Sequence, residues 1–157
     1  MLVVADSSAL VALAVCDGLS WLDLRFEKVF VPRAVFQECT IAGKPKADEL
    51  RTYLSGKIVE INPKMTLITP SGLGLGEIQA MSLYQQIQAD VLLIDDRRAR
   101  KVAQLNQLKT VGSLSLVLWA KQQGHLDSVR SAVDSIQQAG IFLSNTLIHE
   151  VFLLAGE

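Results

Sequence analysis

The acidic residues of this sequence are the side chains whose type and position could support chemistry. Asp6 directly follows the apolar run Leu2–Ala5, and the adjacent pair Asp95 and Asp96 follows the apolar run Val91–Ile94. If each run is a strand, these carboxylates stand at strand carboxyl ends, where open α/β sheets bind ligands. Several carboxylates gathered there would supply the oxygen ligands of a hard metal ion. The sequence therefore predicts a metal site at one edge of a sheet.

Two glutamates extend the set of candidate acids. Glu38 comes shortly after Ala34 and Val35 on a predicted helix, beside an apolar face where an unpaired carboxylate would be costly to bury. Glu77 opens another predicted helix, where a negative side chain meets the positive end of the macrodipole. A surface glutamate and a helix-terminal charge are the structural alternatives for these two positions.

The aspartates also have structural alternatives. Asp6 precedes Ser7 and Ser8, and both residue types are favoured at the start of a helix. Asp95 and Asp96 repel one another unless a cation or hydrogen-bond donors hold them, so one could cap the next helix while the other binds metal. All these structural explanations would have to hold together for the acids to be unrelated, which favours a shared site.

A basic segment follows the acidic pair directly and contains Arg97, Arg98, Arg100 and Lys101. One interpretation is a solvated helix face with ion pairs to the neighbouring aspartates. The other is contact between one or two of these side chains and substrate phosphates beside the metal ion.

Composition indicates one ordinary soluble domain of 157 residues, 50% hydrophobic and 20% charged. With a net charge of −1, any contact with nucleic acid must rest on local basic groups or on bound metal. Cys16 and Cys39 lack both the density of a disulfide scaffold and the spacing of a zinc site. The N-terminus has no basic leader, and no run reaches the roughly 18 apolar residues of a membrane span. We expect a cytoplasmic protein without membrane contact.

Strand-like and helix-like segments alternate along the chain. Strands are predicted at 1–5, 29–31, 58–61, 91–94 and 109–111, and helices at 9–13, 19–26, 32–39, 46–54, 76–88, 97–105, 113–123, 126–139 and 145–155. The segment 62–76 is loop-rich, and we interpret its glycines as a turn leading to Glu77. This alternation predicts an α/β fold with a parallel sheet and helices on both faces.

Four sequence blocks, which carry the candidate acids, resemble the PIN-domain family in order and spacing. The blocks are Val3–Leu10, Val31–Glu38, Leu75–Ala80 and Leu92–Arg100, and the resemblance spans residues 1 to about 118. Within that family the chain looks most like small stand-alone prokaryotic proteins, many of which resemble toxins of type II toxin-antitoxin pairs. The resemblance implies a three-layer α/β/α sandwich with a mainly parallel central sheet. We expect a single domain over 1–157, with a core at about 1–118 and a helical C-terminal extension at about 119–157.

The resemblance also implies metal-dependent ribonuclease chemistry, with Mg²⁺ or Mn²⁺ held by Asp6, Glu38, Glu77 and Asp96. Most of the family has an aspartate in the third block, so Glu77 is a departure that lengthens the ligand by one methylene and could bind through water. The hydroxyl residue common two positions before the last acid is Ile94 here if Asp96 is the equivalent. Asp95 therefore stays open as the alternative ligand and as a catalytic candidate.

The function implied by the resemblance is endoribonuclease activity, in the setting of a toxin with an antitoxin partner. Candidate RNA contacts are Ser7, Ser8, Arg97, Arg98 and Arg100. The alternative is a catalytically weak module that keeps the fold and binds a small partner protein or its own copy. The apolar composition and the hydrophobic final helices make a homo-oligomer or partner groove plausible in either case.

Overall fold

The computed structural model describes residues 1–65 and 72–157. Within them five strands form one parallel sheet in the order β3-β2-β1-β4-β5. The strands are β1 (Leu2–Ala5), β2 (Lys28–Pro32), β3 (Ile58–Val59), β4 (Val91–Leu93) and β5 (Thr110–Val111). β1 lies at the centre of the sheet, and its residues Val3, Val4 and Ala5 are completely buried. A short apolar run buried on both faces is typical of parallel sheets.

Helices connect and follow the strands. They are α1 (Ser7–Val15), α2 (Leu19–Arg25), α3 (Arg33–Cys39), α4 (Ala47–Leu54), α5 (Leu75–Ile87), α6 (Arg97–Leu105), α7 (Ser113–Gln122), α8 (Val129–Gln138) and α9 (Asn145–Ala155), with a 3₁₀ turn at Pro63–Met65. Part of the predicted loop 62–76, residues 66–71, lies outside the described residues.

The order of the strands reverses direction at β1, because the chain moves outward through β2 and β3 before returning to β4. Such a reversal opens a crevice at the carboxyl ends of the two strands that flank it. Here the flanking strands are β1 and β4, which Asp6 and Asp95 follow directly or within two residues. The predicted position of these acids at one sheet edge therefore agrees with the topology.

Three layers result from the connections. Parallel crossovers are right-handed, so α5 and α6, which follow the reversal, lie on the opposite face of the sheet from α1, α2 and α4. Helix α3 contacts helices of both layers, α1 and α5. The C-terminal helices α7 and α8 contact α1, and α9 packs on α7 and α8. Helix α1 is therefore covered on both sides, which explains why five of its residues are buried and its sequence is apolar all round. The predicted α/β/α sandwich with a helical C-terminal region is confirmed.

Two predicted boundaries differ at the site, and one of them is the start of α1, which begins at Ser7 and not at residue 9. The sequence favours Pro32 as the first residue of a helix, but Pro32 ends β2 and occupies the N-cap position of α3 with φ −74° and ψ 162°. Proline accepts this extended geometry because only its φ is fixed. The parallel pairing of Pro32 with Val59 keeps it in the sheet, so the helix begins one residue later.

In the described part of the chain, no single helix is both long and apolar enough to cross a membrane. Helices α1 and α2 meet the length and composition criteria only as a pair bent by 112°.

Candidate functional site

Asp6 is the most deeply buried acid, with 1% of its surface exposed. Its backbone N–H donates to the carbonyl of Leu93 at 2.8 Å, which joins the ends of β1 and β4. Asp6 occupies the N-cap position of α1, but its side chain accepts no capping hydrogen bond. Instead its Oδ2 accepts a hydrogen bond of 3.0 Å from the Ser8 hydroxyl, and its Oδ1 is buried without a hydrogen-bond partner among the described residues. The helix-capping alternative therefore does not account for Oδ1.

Burial raises the pKa of the Asp6 carboxyl from 3.8 to about 6. The Ser8 hydroxyl and the backbone N–H groups of Ser7 and Ser8 lower this pKa, and the negative charge of Glu77 raises it. A carboxylate of this kind is destabilised by the loss of water and by its acidic neighbour, both of which a nearby cation would offset.

Glu38 joins the α1 and α5 sides of the crevice. Its Oε2 accepts from the Ser7 hydroxyl at 2.9 Å, and its Oε1 accepts from the backbone N–H of Gly76 at 3.1 Å. A Cβ atom at position 76 would lie 2.6 Å from both carboxylate oxygens, so the residue there must be glycine for Glu38 to keep this place. Glu38 is half-buried and is not the freely solvated surface glutamate of the structural alternative.

Glu77 combines a helix-terminal role with a place near the other acids. Its Oε2 accepts from the backbone N–H of Gly74, the N-cap residue of α5, at 2.8 Å. Burial raises the pKa of Glu77, and the charges of Asp96 and Glu38 raise it further, while the Gly74 N–H and the Arg98 charge lower it. One oxygen of Glu77 therefore has the helix-terminal role of the structural alternative. The same carboxyl group is also close enough to the neighbouring acids for their charges to raise its pKa.

The two adjacent aspartates have different surroundings. Asp95 accepts two hydrogen bonds of 2.6 Å from Ser113, one from its backbone N–H and one from its hydroxyl, at the start of α7. Asp96 caps α6, with its Oδ1 accepting from the Ala99 N–H at 2.8 Å. That cap does not use the second oxygen of Asp96, and the Asp96 charge raises the pKa of Glu77. Asp96 is therefore the member of the pair whose charge acts on Glu77.

The side chains chosen as candidate RNA contacts divide into two groups. Ser7 and Ser8 are directed at Glu38 and Asp6, as described above. On α6, the Arg98 guanidinium lies against Gly72, and the Arg100 guanidinium lies beside Gly112 near Asp95. Arg97, at the start of the same helix, and Arg98 are exposed, and Arg100 is half-buried. The charge of Arg98 thus acts on Glu77, and the guanidinium of Arg100 lies near Asp95.

Sequence reasoning missed Ser113 and the requirement for glycine at position 76. Ser113 directly follows a glycine and begins the helix after β5, so a Gly-Ser pair at another strand end was the available signal. Gly76 belongs to the spaced glycines of the loop-rich segment, which were interpreted as a turn. Its close approach to Glu38 depends on the packing of α3 on α5.

Comparison with known protein families shows which family this chain belongs to. The model of the DUF3368 family, described as a PIN domain, matches residues 2–157. The chain belongs to the PIN-domain family. The match includes the C-terminal helices, beyond the four blocks that carry the resemblance. No curated protein and no solved structure matches this PIN domain.

PIN domains are generally nucleases and typically use divalent metal ions. The donors here fit such an ion chemically, because all are carboxylate oxygens and the buried Oδ1 of Asp6 has no other partner in the described structure. Among residues 1–65 and 72–157, no three His, Cys, Asp or Glu side chains are grouped closely enough to hold an ion as they stand. Hydrogen bonds from Ser7, Gly74 and Gly76 hold Glu38 and Glu77 in their present positions.

Proposed function

We propose that this PIN domain is a metal-dependent endoribonuclease that hydrolyses RNA phosphodiester bonds. Mg²⁺ or Mn²⁺ would be held by Asp6, Glu38, Glu77 and Asp96. The observation that carries the proposal is the buried Asp6 carboxylate at the reversal of the sheet, with Oδ1 unpaired among the described residues and with the Glu77 charge acting on it. An unpaired buried carboxylate oxygen is costly, and a divalent cation is the partner that satisfies it and offsets the repulsion.

A bound divalent ion supplies activation of water and neutralisation of phosphate charge in such a site. The acids alone would repel a polyanion, so the substrate must be attracted by other groups of the chain. Arg98 and Arg100 carry positive charges near Glu77 and Asp95 respectively. Guanidinium groups at these positions would bind phosphates on either side of the scissile bond.

The toxin setting is part of the same proposal and rests on the resemblance to small prokaryotic toxins. An antitoxin or a second copy of the chain would cover exposed apolar side chains such as Leu153 and Leu154 on α9, which are 73% and 62% exposed. The same exposed side chains favour the second candidate, an interaction module without nuclease activity. RNA cleavage separates the two functions.

Induced expression in a bacterial host, followed by mapping of RNA ends, tests the proposal. The wild type should arrest growth and produce new internal RNA ends, whereas Asp6→Asn at the same protein level should do neither. Equal arrest by both forms without new ends would reject cleavage and favour the interaction module. Cleavage without arrest would retain the nuclease and reject the toxin setting.

A further inference from the structure

Ser8 connects two acid-bearing strand ends. It is the second residue of α1, directly above the end of β1. Its Oγ lies 3.0 Å from Asp6 Oδ2 and 3.2 Å from the backbone nitrogen of Asp95. One hydroxyl therefore contacts the residue after β1 and a residue after β4, the two strands that flank the crevice.

The direction of these hydrogen bonds follows from the chemistry of the groups. The Asp95 N–H can only donate, so the Ser8 oxygen is the acceptor in that contact. An ionised carboxylate can only accept, so the single hydroxyl proton of Ser8 is donated to Asp6 Oδ2. The only hydroxyl proton of Ser8 is therefore already used in the hydrogen bond to Asp6, and this side chain has no second donor for a substrate phosphate.

The backbone of Asp95 is itself fixed. Its carboxylate is held by the N–H and the hydroxyl of Ser113, a residue with 1% of its surface exposed at the start of α7. A chain of hydrogen bonds therefore runs from Ser113 through Asp95 and Ser8 to Asp6. Each link is set by the one before it, so the Ser8 hydroxyl cannot turn away without leaving the Asp95 N–H unsatisfied.

We propose that Ser8 is a positioning residue that assigns different tasks to the two oxygens of Asp6, reserving Oδ2 for the protein and leaving Oδ1 for the metal ion. The inference rests on the proposed metal-dependent function. Without the Ser8 hydroxyl, the buried oxygens of the carboxylate lose the only side-chain donor described for them, and its χ2 angle loses that constraint. Outer partners of this kind orient metal ligands.

Mn²⁺ affinity, measured by electron paramagnetic resonance of the free ion without RNA, tests this assignment. Ser8→Ala should bind Mn²⁺ about 10- to 100-fold more weakly than the wild type. Ser8→Thr keeps the hydroxyl and should restore affinity to within about threefold of the wild type, inside the usual context-dependent spread for retained outer-shell partners. Ser144→Ala removes a serine that caps α9 through the Leu147 N–H, and it should leave Mn²⁺ affinity unchanged.

Two results would overturn the assignment: Mn²⁺ binding by Ser8→Ala as tight as that of the wild type, or affinity in Ser8→Thr as low as in Ser8→Ala. Either leaves the metal-dependent function intact, because the wild type still binds. Failure of the wild type to bind Mn²⁺ would instead overturn the proposed function and this assignment with it. The ratio of Mn²⁺ affinities between the Ser8 variants and the wild type therefore tests the role of Ser8. Mn²⁺ binding by the wild type tests the proposed metal-dependent function.

Discussion

Ser113 holds the carboxylate of Asp95 through two hydrogen bonds of 2.6 Å, from its backbone N–H and its hydroxyl. Both donors belong to the first residue of α7, where backbone N–H groups lack partners within the helix. Asp95 thus accepts hydrogen bonds from the first residue of α7. Asp96 caps α6 with one oxygen, and its negative charge raises the pKa of Glu77. Two adjacent acids of the same type have separate tasks.

Substitutions of the two aspartates should therefore affect different properties. Asp95→Ala leaves the buried N–H and hydroxyl of Ser113 without an acceptor, which should lower the free energy of unfolding by about 2–4 kcal/mol. Asp96→Asn keeps a side chain that caps helices well, so its stability should stay within about 0.5 kcal/mol of the wild type. Urea unfolding of the metal-free proteins measures both. Equal stability losses for the two variants would contradict the division of tasks.

The stability of the metal-free protein should fall as pH rises from about 4 to 6. Because burial raises the pKa of Asp6 from 3.8 to about 6, the native state holds this proton over a range in which the unfolded chain has released it. Ionisation of the native carboxyl then costs about 3 kcal/mol, fully felt above pH 6 and absent below pH 4. Unfolding curves in EDTA should show this fall in the wild type, and Asp6→Asn should flatten it. An equal fall in both proteins would assign it to other groups.

Two glycine substitutions should separate metal binding from stability. A Cβ in Gly76→Ala would meet the Glu38 carboxylate at 2.6 Å, and this flexible side chain can move away at little cost in folding energy. Gly76→Ala should therefore weaken Mn²⁺ binding at least tenfold, because Glu38 would no longer be held in the orientation of a metal ligand. The free energy of unfolding should change by less than about 1 kcal/mol. In the control Gly74→Ala, the new Cβ would lie 3.7 Å from Glu77 Oε2, an ordinary contact, and Mn²⁺ affinity should be retained. Calorimetric titration measures the Mn²⁺ affinities of both variants, and urea unfolding measures their stabilities. Equal affinities would show that the position of Glu38 does not affect metal binding.

Mn²⁺ should raise the thermal stability of the wild type by mass action. At a concentration 100 times the dissociation constant, the gain is about 2.7 kcal/mol, or roughly 5–10 °C for a domain of this size. Glu38→Gln preserves the shape of the side chain but removes its charge, and should lose most of this gain. Differential scanning calorimetry with and without Mn²⁺ measures the shift. A full shift in Glu38→Gln would exclude Glu38 from the metal site.

The sequence predicted the features that depend on local patterns. Helix α6 was predicted at its observed bounds because its buried residues Ala99, Val102 and Ala103 recur at helical spacing among charges. The meeting of Asp6 with the acids after β4 followed from the rule that parallel strands end at the same edge. Strand order and the reversal at β1 could not be obtained from local patterns, because they depend on which strands pair.

The contacts that orient the acids were beyond local reasoning for the same reason. Ser8 and Asp95 are 87 residues apart in sequence, and Asp95 and Ser113 are 18 apart. These contacts exist because β1 pairs with β4 and β4 with β5 in one particular register. A shift of one residue in either pairing would turn the side chains to the other face of the sheet.

Cleavage of a circular single-stranded RNA by the purified protein tests the central claim most directly, because a circle can be opened only by internal cutting. With Mn²⁺ the wild type should convert circles to linear products that continue to shorten, and EDTA should stop the reaction. Asp6→Asn, purified in the same way, should leave the circles intact. Intact circles with the wild type and Mn²⁺, or equal cutting by wild type and Asp6→Asn, would contradict the assignment of this PIN domain as a metal-dependent endoribonuclease acting through Asp6.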